Sequence, residues 1–422
     1  MRLVLLLLVA LIVFGAGGCI WLGWYRAIPR VQPPARTAFP SAAIEHGAVL
    51  AALGNCVSCH TAPGGAPFAG GRAVQTPFGT IYASNITPDP VTGIGTWPEA
   101  AFRRAMRQGV DRAGDQLYPA FPYDHFTEVS DADDADLYAY LMTRAPVRAG
   151  VPANELSFPF DYRFLIAGWK LVLFRPAAFR LDATQSAQWN RGAYLVQGLA
   201  HCGACHTPHD FLGAEQSGRS LAGGEAQGWY AYALDNNAPA PVPWTADSLY
   251  AYLRHGWQAQ HGDALGPMRE VTDDLITAPD DDLRAMVAYL AAGRNSPLRH
   301  RPPPPPIAPP AGRGEALYRG ACGGCHDNSR GPPFAGIDLA ESTTTHAPNP
   351  ANLANIITSG IPAAGEEREP IMPGFGAVLT ERQTEDLIAW LRARFGAPDP
   401  AAGIAAAVQA ARSEMTQREA TP

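Results

Sequence analysis

Charge is what this 422-residue chain has least of: 17% of its residues are Asp, Glu, Lys or Arg, and Lys and Arg nowhere gather into a run. With a formal net charge of −7, this excludes an electrostatic nucleic-acid partner. No paired acid/base set, nucleophile triad or nucleotide-binding loop stands out, so the chain does not read as a catalytic subunit. Disorder is excluded as well, since 47% of the residues are hydrophobic. Gly and Pro are plentiful at 42 and 40, which points to loops and short helices rather than long bundles. The length suits about two to four domains with cores of their own.

The N-terminus is the exception to the mixed pattern. Arg2 is followed by an uncharged, mostly apolar run from Leu3 to Tyr25, and then by Arg26 and Arg30. Such a run reaches the roughly 20 residues that span a bilayer, and Trp21, Trp24 and Tyr25 stand where an interfacial belt would be. Residues 1–30 therefore read as a signal anchor. The alternative is a signal peptide cleaved near Gly15-Ala-Gly-Gly18, with Cys19 a weak lipoprotein acceptor or a plain apolar residue of the span. On each reading the body of the chain is exported.

The seven cysteines leave none unpaired in that body. Apart from Cys19 they form Cys56-Val-Ser-Cys59-His60, Cys202-Gly-Ala-Cys205-His206 and Cys322-Gly-Gly-Cys325-His326. C-x-x-C-H is the attachment motif of c-type haem. Two thiols add to the two vinyl groups of one porphyrin, which places the following His under the iron as its proximal ligand. Zinc would need a fourth ligand at each site, and none recurs. A redox C-x-x-C would need a βαβ context, whereas helical patterns surround these motifs. Three haem c groups are the expectation.

A repeat lies behind the motifs. Each is preceded by a helical pattern beginning at a glycine: Gly47-Ala-Val-Leu50, Gly192-Ala-Tyr-Leu195 and Gly314-Glu-Ala-Leu317. A Gly/Pro-rich loop and a second helix follow. In the first copy that helix is announced by a capping box, Thr96-Trp-Pro-Glu99, and stops at Gly109. In the others it stops at Gly256 and Gly360. A third amphipathic helix closes each copy with Tyr140-Leu141, Tyr289-Leu290 or Trp390-Leu391, and Ser130 and Thr380 are its N-caps in the first and last copies. This order is similar to the small class I cytochrome c fold. The expected architecture is all-α, three tandem class I cytochrome c domains preceded by one N-terminal transmembrane helix. Its domains are 42–149, 186–298 and 311–399, with an inter-domain segment 150–185, a Pro-rich linker 299–310 around Pro302–Pro306, and a C-terminal tail 400–422. The apolar stretch Phe164–Phe174, interrupted by Lys170, is too short to span a bilayer. It reads as inter-domain packing or as a docking face for a partner or the membrane surface.

Methionine is the usual sixth ligand of electron-transfer cytochromes c. Gly266-Pro-Met268 and Ile371-Met372-Pro-Gly374 offer it for the second and third haems. In the first copy, Leu117-Tyr-Pro-Ala-Phe-Pro-Tyr123 puts Phe121 where Met is expected, and Phe cannot bind iron. Met106 and His125 are the candidates there, and an open position is a third option. Pro63 and Pro208, just after their haem His residues, mark carbonyls that could orient the imidazole.

Several stretches together resemble the membrane-bound triheme cytochrome c subunits of bacterial periplasmic dehydrogenases. They are Asn85-Ile-Thr-Pro-Asp89 with Thr92-Gly-Ile-Gly95, Leu117-Tyr-Pro-Ala120, Asn190-Arg-Gly-Ala-Tyr-Leu195, Cys202 to Pro208, Leu221-Ala-Gly-Gly224 with Gly228-Trp-Tyr230, and Gly266-Pro-Met268. The resemblance covers nearly the whole exported chain. It implies a non-catalytic subunit on the periplasmic side of the inner membrane that passes electrons from a catalytic dehydrogenase subunit to ubiquinone, a terminal oxidase or a soluble cytochrome. The Pro119-Ala-Phe-Pro-Tyr123 form and Pro241-Val-Pro-Trp244 look more like the group served by molybdenum hydroxylases acting on aldehydes or N-heterocycles. A quinoprotein alcohol dehydrogenase or flavoprotein sugar dehydrogenase is the alternative partner. A peroxidase-like haem enzyme using an open first iron is the rival function.

Overall fold

Ser130, Thr245 and Thr380 each end a loop and begin a helix. The Ser130 hydroxyl accepts the Asp133 N–H at 3.1 Å, while Thr245 and Thr380 form reciprocal capping boxes with Ser248 and Gln383. The expected box at Thr96 does not form. Pro98 occupies the cap of helix Glu99–Gln108 without a side-chain bond, and its fixed φ is already suited to entering a helix. Gly109, Gly256 and Gly360 end the middle helices at φ 61°, 69° and 77°, values that only glycine adopts freely.

These details come from a computed structural model that describes residues 17–18, 24–292, 312–327, 337–362, 372–397 and 399–420. The expected span Leu3–Tyr25 lies outside the described residues but for Gly17, Gly18, Trp24 and Tyr25, and the linker Pro302–Pro306 lies wholly outside them. Among the described residues no helix is long and apolar enough to cross a membrane.

The repeat appears as three sets of helices. The opening helices are Ser41–Leu53, Ala187–Ala193 continued by the wider turns of Tyr194–Leu199, and Arg313–Leu317 continued by Tyr318–Cys322. The middle ones are Glu99–Gln108, Ala246–His255 and Ala351–Ser359. The closing ones are Asp131–Met142, Asp280–Ala292 and Glu381–Phe395. In the first and third copies the opening and closing helices touch at the glycine that begins the repeat pattern. A Cβ on Gly47 would overlap the Asp136 carbonyl and lie 2.7 Å from Tyr140 Cβ. One on Gly314 would overlap the Asp386 carbonyl and lie 2.7 Å from Trp390 Cβ. The residue before each glycine pairs with an aspartate of the closing helix: His46 with Asp136 at 2.8 Å, Arg191 with Asp282 at 2.7 Å and Arg313 with Asp386 at 3.0 Å. The first and third of these pairs are solvent-accessible and add about 0–1 kcal/mol each, while Arg191–Asp282 is part-buried.

Two expectations are corrected. The chain is mostly helical but not all-α. β1 (Ala73–Thr76) pairs antiparallel with β2 (Gly79–Tyr82), and β2 with β3 (Glu155–Leu156). β4 (Gly224–Ala226) pairs with β5 (Trp229–Ala231), and β6 (Trp257–Gln258) with β7 (Gly262–Asp263). Gln227 and Gly228 turn β4 into β5 with φ 49° and 78°, the two positive values of a tight hairpin turn. The supposed C-terminal tail holds a helix, Ile404–Ala420, whose Ile404, Val408 and Ala411 are buried in the core of the third copy with Leu353, Ile357 and Leu387. Those residues recur every three or four positions in an alanine-rich stretch, which favours a helix and gives it one apolar face.

The chain falls into two compact units. One holds the chain up to Ala204 together with 210–214 and 277–286; the other holds 205–209, 215–276 and the chain from Val287. The second copy is divided because its parts bond in different directions. In the first unit, Tyr194 of its opening helix donates to Asp133 and accepts the Ser130 N–H at 3.0 Å. In the second, β5 is fixed to helix Ala351–Ser359: Tyr230 N–H donates to Asn352 Oδ1 and Asn352 Nδ2 to Tyr230 O, both at 2.8 Å.

Candidate functional site

Each C-x-x-C-H motif begins a single helical turn directly after its opening helix. Those turns are Cys56–Cys59, Gly203–His206 and Gly323–His326. All six motif cysteines are free of disulfides. The histidine at the end of each turn is held in the same way. Nδ1 of His60 is bonded to Ser84 O at 2.6 Å, Nδ1 of His206 to Tyr232 O at 2.6 Å, and Nδ1 of His326 to Ile337 O at 3.0 Å. A carbonyl only accepts, so Nδ1 carries a proton in each ring, and a neutral ring then keeps its lone pair on Nε2. Burial lowers the pKa of His60 and His206, and the bonds to Ser84 and Tyr232 oppose that shift, so both rings are neutral at pH 7. A neutral imidazole fixed through Nδ1 beside two cysteines that form no disulfide fits a covalently attached haem with an Nε2–iron bond.

The carbonyls are not those near Pro63 and Pro208. They come from 24, 26 and 11 residues beyond their histidines, and in the first two copies a hairpin delivers them. Ser84 follows β2, and Tyr232 follows β5. Gly223 N–H donates back to His206 O at 2.8 Å. Gly224 lies so close that a Cβ would overlap Cys205 O, which is why a glycine stands there. In the first copy a knot of side chains braces Ser84. Asn85 Nδ2 donates to Val147 O at 2.8 Å and to Thr92 Oγ1 at 3.0 Å, while Asp89 Oδ1 accepts the Thr92 N–H, the Thr92 hydroxyl and the Val91 N–H. Those bonds, from Thr92 above all, hold the Asp89 carboxyl below its ordinary pKa. The Asn85–Gly95 stretch is thus scaffold for the histidine's carbonyl.

The sixth-ligand segments are placed by matching closures. Leu117 N–H donates to Gly109 O and Ala264 N–H to Gly256 O, each at 2.7 Å. Four residues beyond each closure stand Phe121 and Met268, so the two positions are equivalent. Met268 lies in the first turn of helix Pro267–Leu275, half-buried, and a Cβ on Gly266 would meet the Trp229 ring of β5. Met372 is fixed by an antiparallel bridge, Ile361 N–H to Met372 O at 2.9 Å and Met372 N–H to Ile361 O at 3.3 Å. Phe121 stacks 5.3 Å from Phe126. Met106 is buried in the middle helix beside Phe102 and Ala105, at the place Leu253 takes in the second copy. His125 bonds through Nδ1 to Gln197 O at 2.6 Å.

Sequence reading also missed Lys170, the chain's only lysine. Its Nζ donates to Gln108 O, Gly109 O and Gln116 Oε1, each at 2.7 Å, and lies 4.5 Å from the centre of the Tyr123 ring. It closes the C-terminal end of helix Glu99–Gln108, where the helix dipole and free carbonyls favour a cation. Burial lowers its pKa to about 7. A lone cation inside an apolar stretch was the available signal.

The family described as cytochrome c oxidase, cbb3-type, subunit III matches residues 309–391. A nicotinate dehydrogenase subunit from Pseudomonas putida is 45% identical over 386 residues, 90% of this chain; the chain spans only 32% of that protein's length. The fructose dehydrogenase cytochrome subunit of Gluconobacter japonicus is 36% identical over 88% of this chain and 82% of its own length. The gluconate 2-dehydrogenase cytochrome c subunit of Pantoea cypripedii is 35% identical over 84% and 86%.

Proposed function

Since this chain belongs to the family of cytochrome c subunits of dehydrogenase complexes, we propose that it is the electron-transfer subunit of such a complex and carries three haem c groups. Cys56 and Cys59, Cys202 and Cys205, and Cys322 and Cys325 hold them as thioethers, with His60, His206 and His326 as proximal ligands and Met268 and Met372 as the sixth ligands of the second and third. The haem supplies one-electron chemistry at iron; the protein orients the imidazoles, sets the potentials and excludes water. The observation that carries this reading is the threefold Nδ1–carbonyl bond on the histidine that follows each cysteine pair. The three haems define cytochrome domains at 42–149, 186–298 and 311–399, with the second shared between the two compact units. The sixth position of the first haem belongs to Met106, to His125 or to no residue.

The donor is a catalytic dehydrogenase subunit, preferably a molybdenum hydroxylase acting on an N-heterocycle. The likeness to a nicotinate dehydrogenase subunit supports this, nicotinate being an N-heteroaromatic acid. A quinoprotein or flavoprotein donor keeps the same role for this chain. Electrons leave to ubiquinone, a terminal oxidase or a soluble cytochrome. The chain is anchored by its N-terminal run on the periplasmic side of the inner membrane.

Pyridine haemochrome assay of the pure exported protein is expected to give three haems per chain, retained through acid-acetone extraction. Extractable haem or a ratio near two refutes it. Phe121 keeps a peroxidase-like second reading open, and carbon monoxide added to the reduced protein separates the two. Binding at one haem with peroxide turnover favours the enzyme; no binding favours a closed electron carrier.

A further inference from the structure

The first unit carries an apolar arm that its own fold does not cover. Residues 157–165 are all exposed, with Phe158, Phe160, Tyr162 and Phe164 alternating along them. Helix Leu165–Leu173 then buries only Ala167 and leaves Leu171 61% and Val172 64% exposed, with Phe158 at 80%. The helix is not loose. Lys170 pins it to Gln108, Gly109 and Gln116, and Tyr118 OH donates to Asp161 O at 3.2 Å. One side is thus fixed on the loop 108–118 and the other is turned outward as a fixed apolar face. Between residues 157 and 180 the exposed charges are Arg163, Arg175 and Arg180 against Asp161 alone.

The same loop, with Arg104 of the helix before it, holds the chain where it leaves the N-terminal apolar run. Arg104 donates to Arg26 O at 2.7 Å, Ile28 N–H to Arg112 O at 2.9 Å and Arg112 to Ile28 O at 2.8 Å. Gly114 has no room for a Cβ beside the Tyr25 carbonyl. No slack separates run and loop: the three residues from Tyr25 to Ile28 reach at most about 10 Å. If residues 3–25 span a bilayer, the loop 111–114 stands at its surface, and the arm is fixed to the residues that flank that loop.

We propose that the face formed by Phe158, Phe160, Phe164, Leu165, Leu171 and Val172 rests on the lipid bilayer, its aromatics at headgroup level and its arginines on anionic lipid phosphates. This inference rests on the anchoring reading given above. Nine helical residues span about 14 Å, half the hydrocarbon thickness, so the helix lies in the interface and does not cross it. Exposed aromatic and aliphatic side chains rimmed by arginine suit that layer. Helix and N-terminal run then hold the first haem domain by two points, which fixes its tilt as well as its distance.

The test uses the full-length, haem-loaded chain with Cys19→Ala, reconstituted in vesicles of phosphatidylcholine and phosphatidylglycerol. A nitroxide is placed at Leu171→Cys and, for comparison, at Val91→Cys, exposed in the same unit. At position 171 collisions with oxygen are expected to dominate and access to a water-soluble nickel chelate to be lost; at position 91 the chelate should collide freely. Nickel access at 171 equal to that at 91 overturns the proposal. So does access that is lost only when a catalytic subunit is added, which would assign the face to a protein partner. Resistance to alkaline carbonate is read separately: extraction of the chain refutes the anchor, while the label at 171 decides the face.

Discussion

Replacing Gly314 by alanine tests whether the helix crossing is what positions the third motif. Two effects oppose each other. Alanine in a helix is favoured over glycine by about 1 kcal/mol. Against that, the new methyl would overlap the Asp386 carbonyl and stand 2.7 Å from Trp390 Cβ. Neither atom can rotate away, so the two helices must move apart. Overpacking of this kind costs about 1–3 kcal/mol even where side chains can adjust, and here the upper end or more applies. The net expectation for Gly314→Ala is a loss of about 2 kcal/mol. At roughly 4–8 °C per kcal/mol for a domain of this size, the transition of that domain falls by about 10 °C. Tyr318 stacks on Trp390 at 4.7 Å and leads into Cys322, so the haem environment should report the change. The assay is thermal unfolding followed by far-ultraviolet circular dichroism and by the Soret band. Gly320→Ala is the control, since nothing among the described residues lies within 4 Å of its Cβ, and it should lose nothing. A Gly314→Ala protein as stable as the wild type, or a Gly320→Ala protein that loses as much, refutes the reasoning.

Asp134 is fully buried in the closing helix of the first copy, its carboxyl oxygens have no hydrogen-bond partner, and burial raises its pKa to about 8. The unfolded chain keeps the ordinary value, so the stability contributed by the neutral acid is complete below about pH 4 and is lost as pH rises through 8. Asp134→Asn should abolish this slope in urea titrations and be more stable at pH 7 by at most about 4 kcal/mol; an unchanged slope argues against it. At the sixth-ligand positions, Met268→Ala and Met372→Ala should each remove about half of the weak thioether–iron band at the red end of the ferric spectrum and lower one potential. Phe121→Met should add a third such signal, because the equivalent closures at Leu117 and Ala264 present both side chains alike; if Phe121→Met adds none, that equivalence fails.

Much of the candidate site was legible in the sequence because its chemistry is local. Two thiols and an imidazole within five residues must meet, whatever the rest of the chain does. The same holds for caps: Ser130 and Thr380 bond to groups three residues away, within reach of their own helix. The helical repeat showed because each copy must bury one face every three or four residues. The Thr96 box failed because the helix starts at Glu99 with Pro98 at its cap, two residues later than a box between Thr96 and Glu99 requires. The helix Ile404–Ala420 was overlooked because alanine contributes little hydrophobic contrast, although its own Val408 is wholly buried.

What the sequence determined by itself was therefore the set of candidate haem-binding side chains, the order of the helices and the departure at Phe121. The tertiary structure alone decided which backbone carbonyls hold the histidines, since Ser84, Tyr232 and Ile337 are ordinary residues whose value lies only in where a hairpin or loop delivers them. It also decided that the second copy is shared between two units and that Lys170 seals a helix end while turning Leu171 and Val172 outward. Such choices depend on contacts between residues tens of positions apart, and a backbone carbonyl, common to every residue, leaves no mark in the sequence.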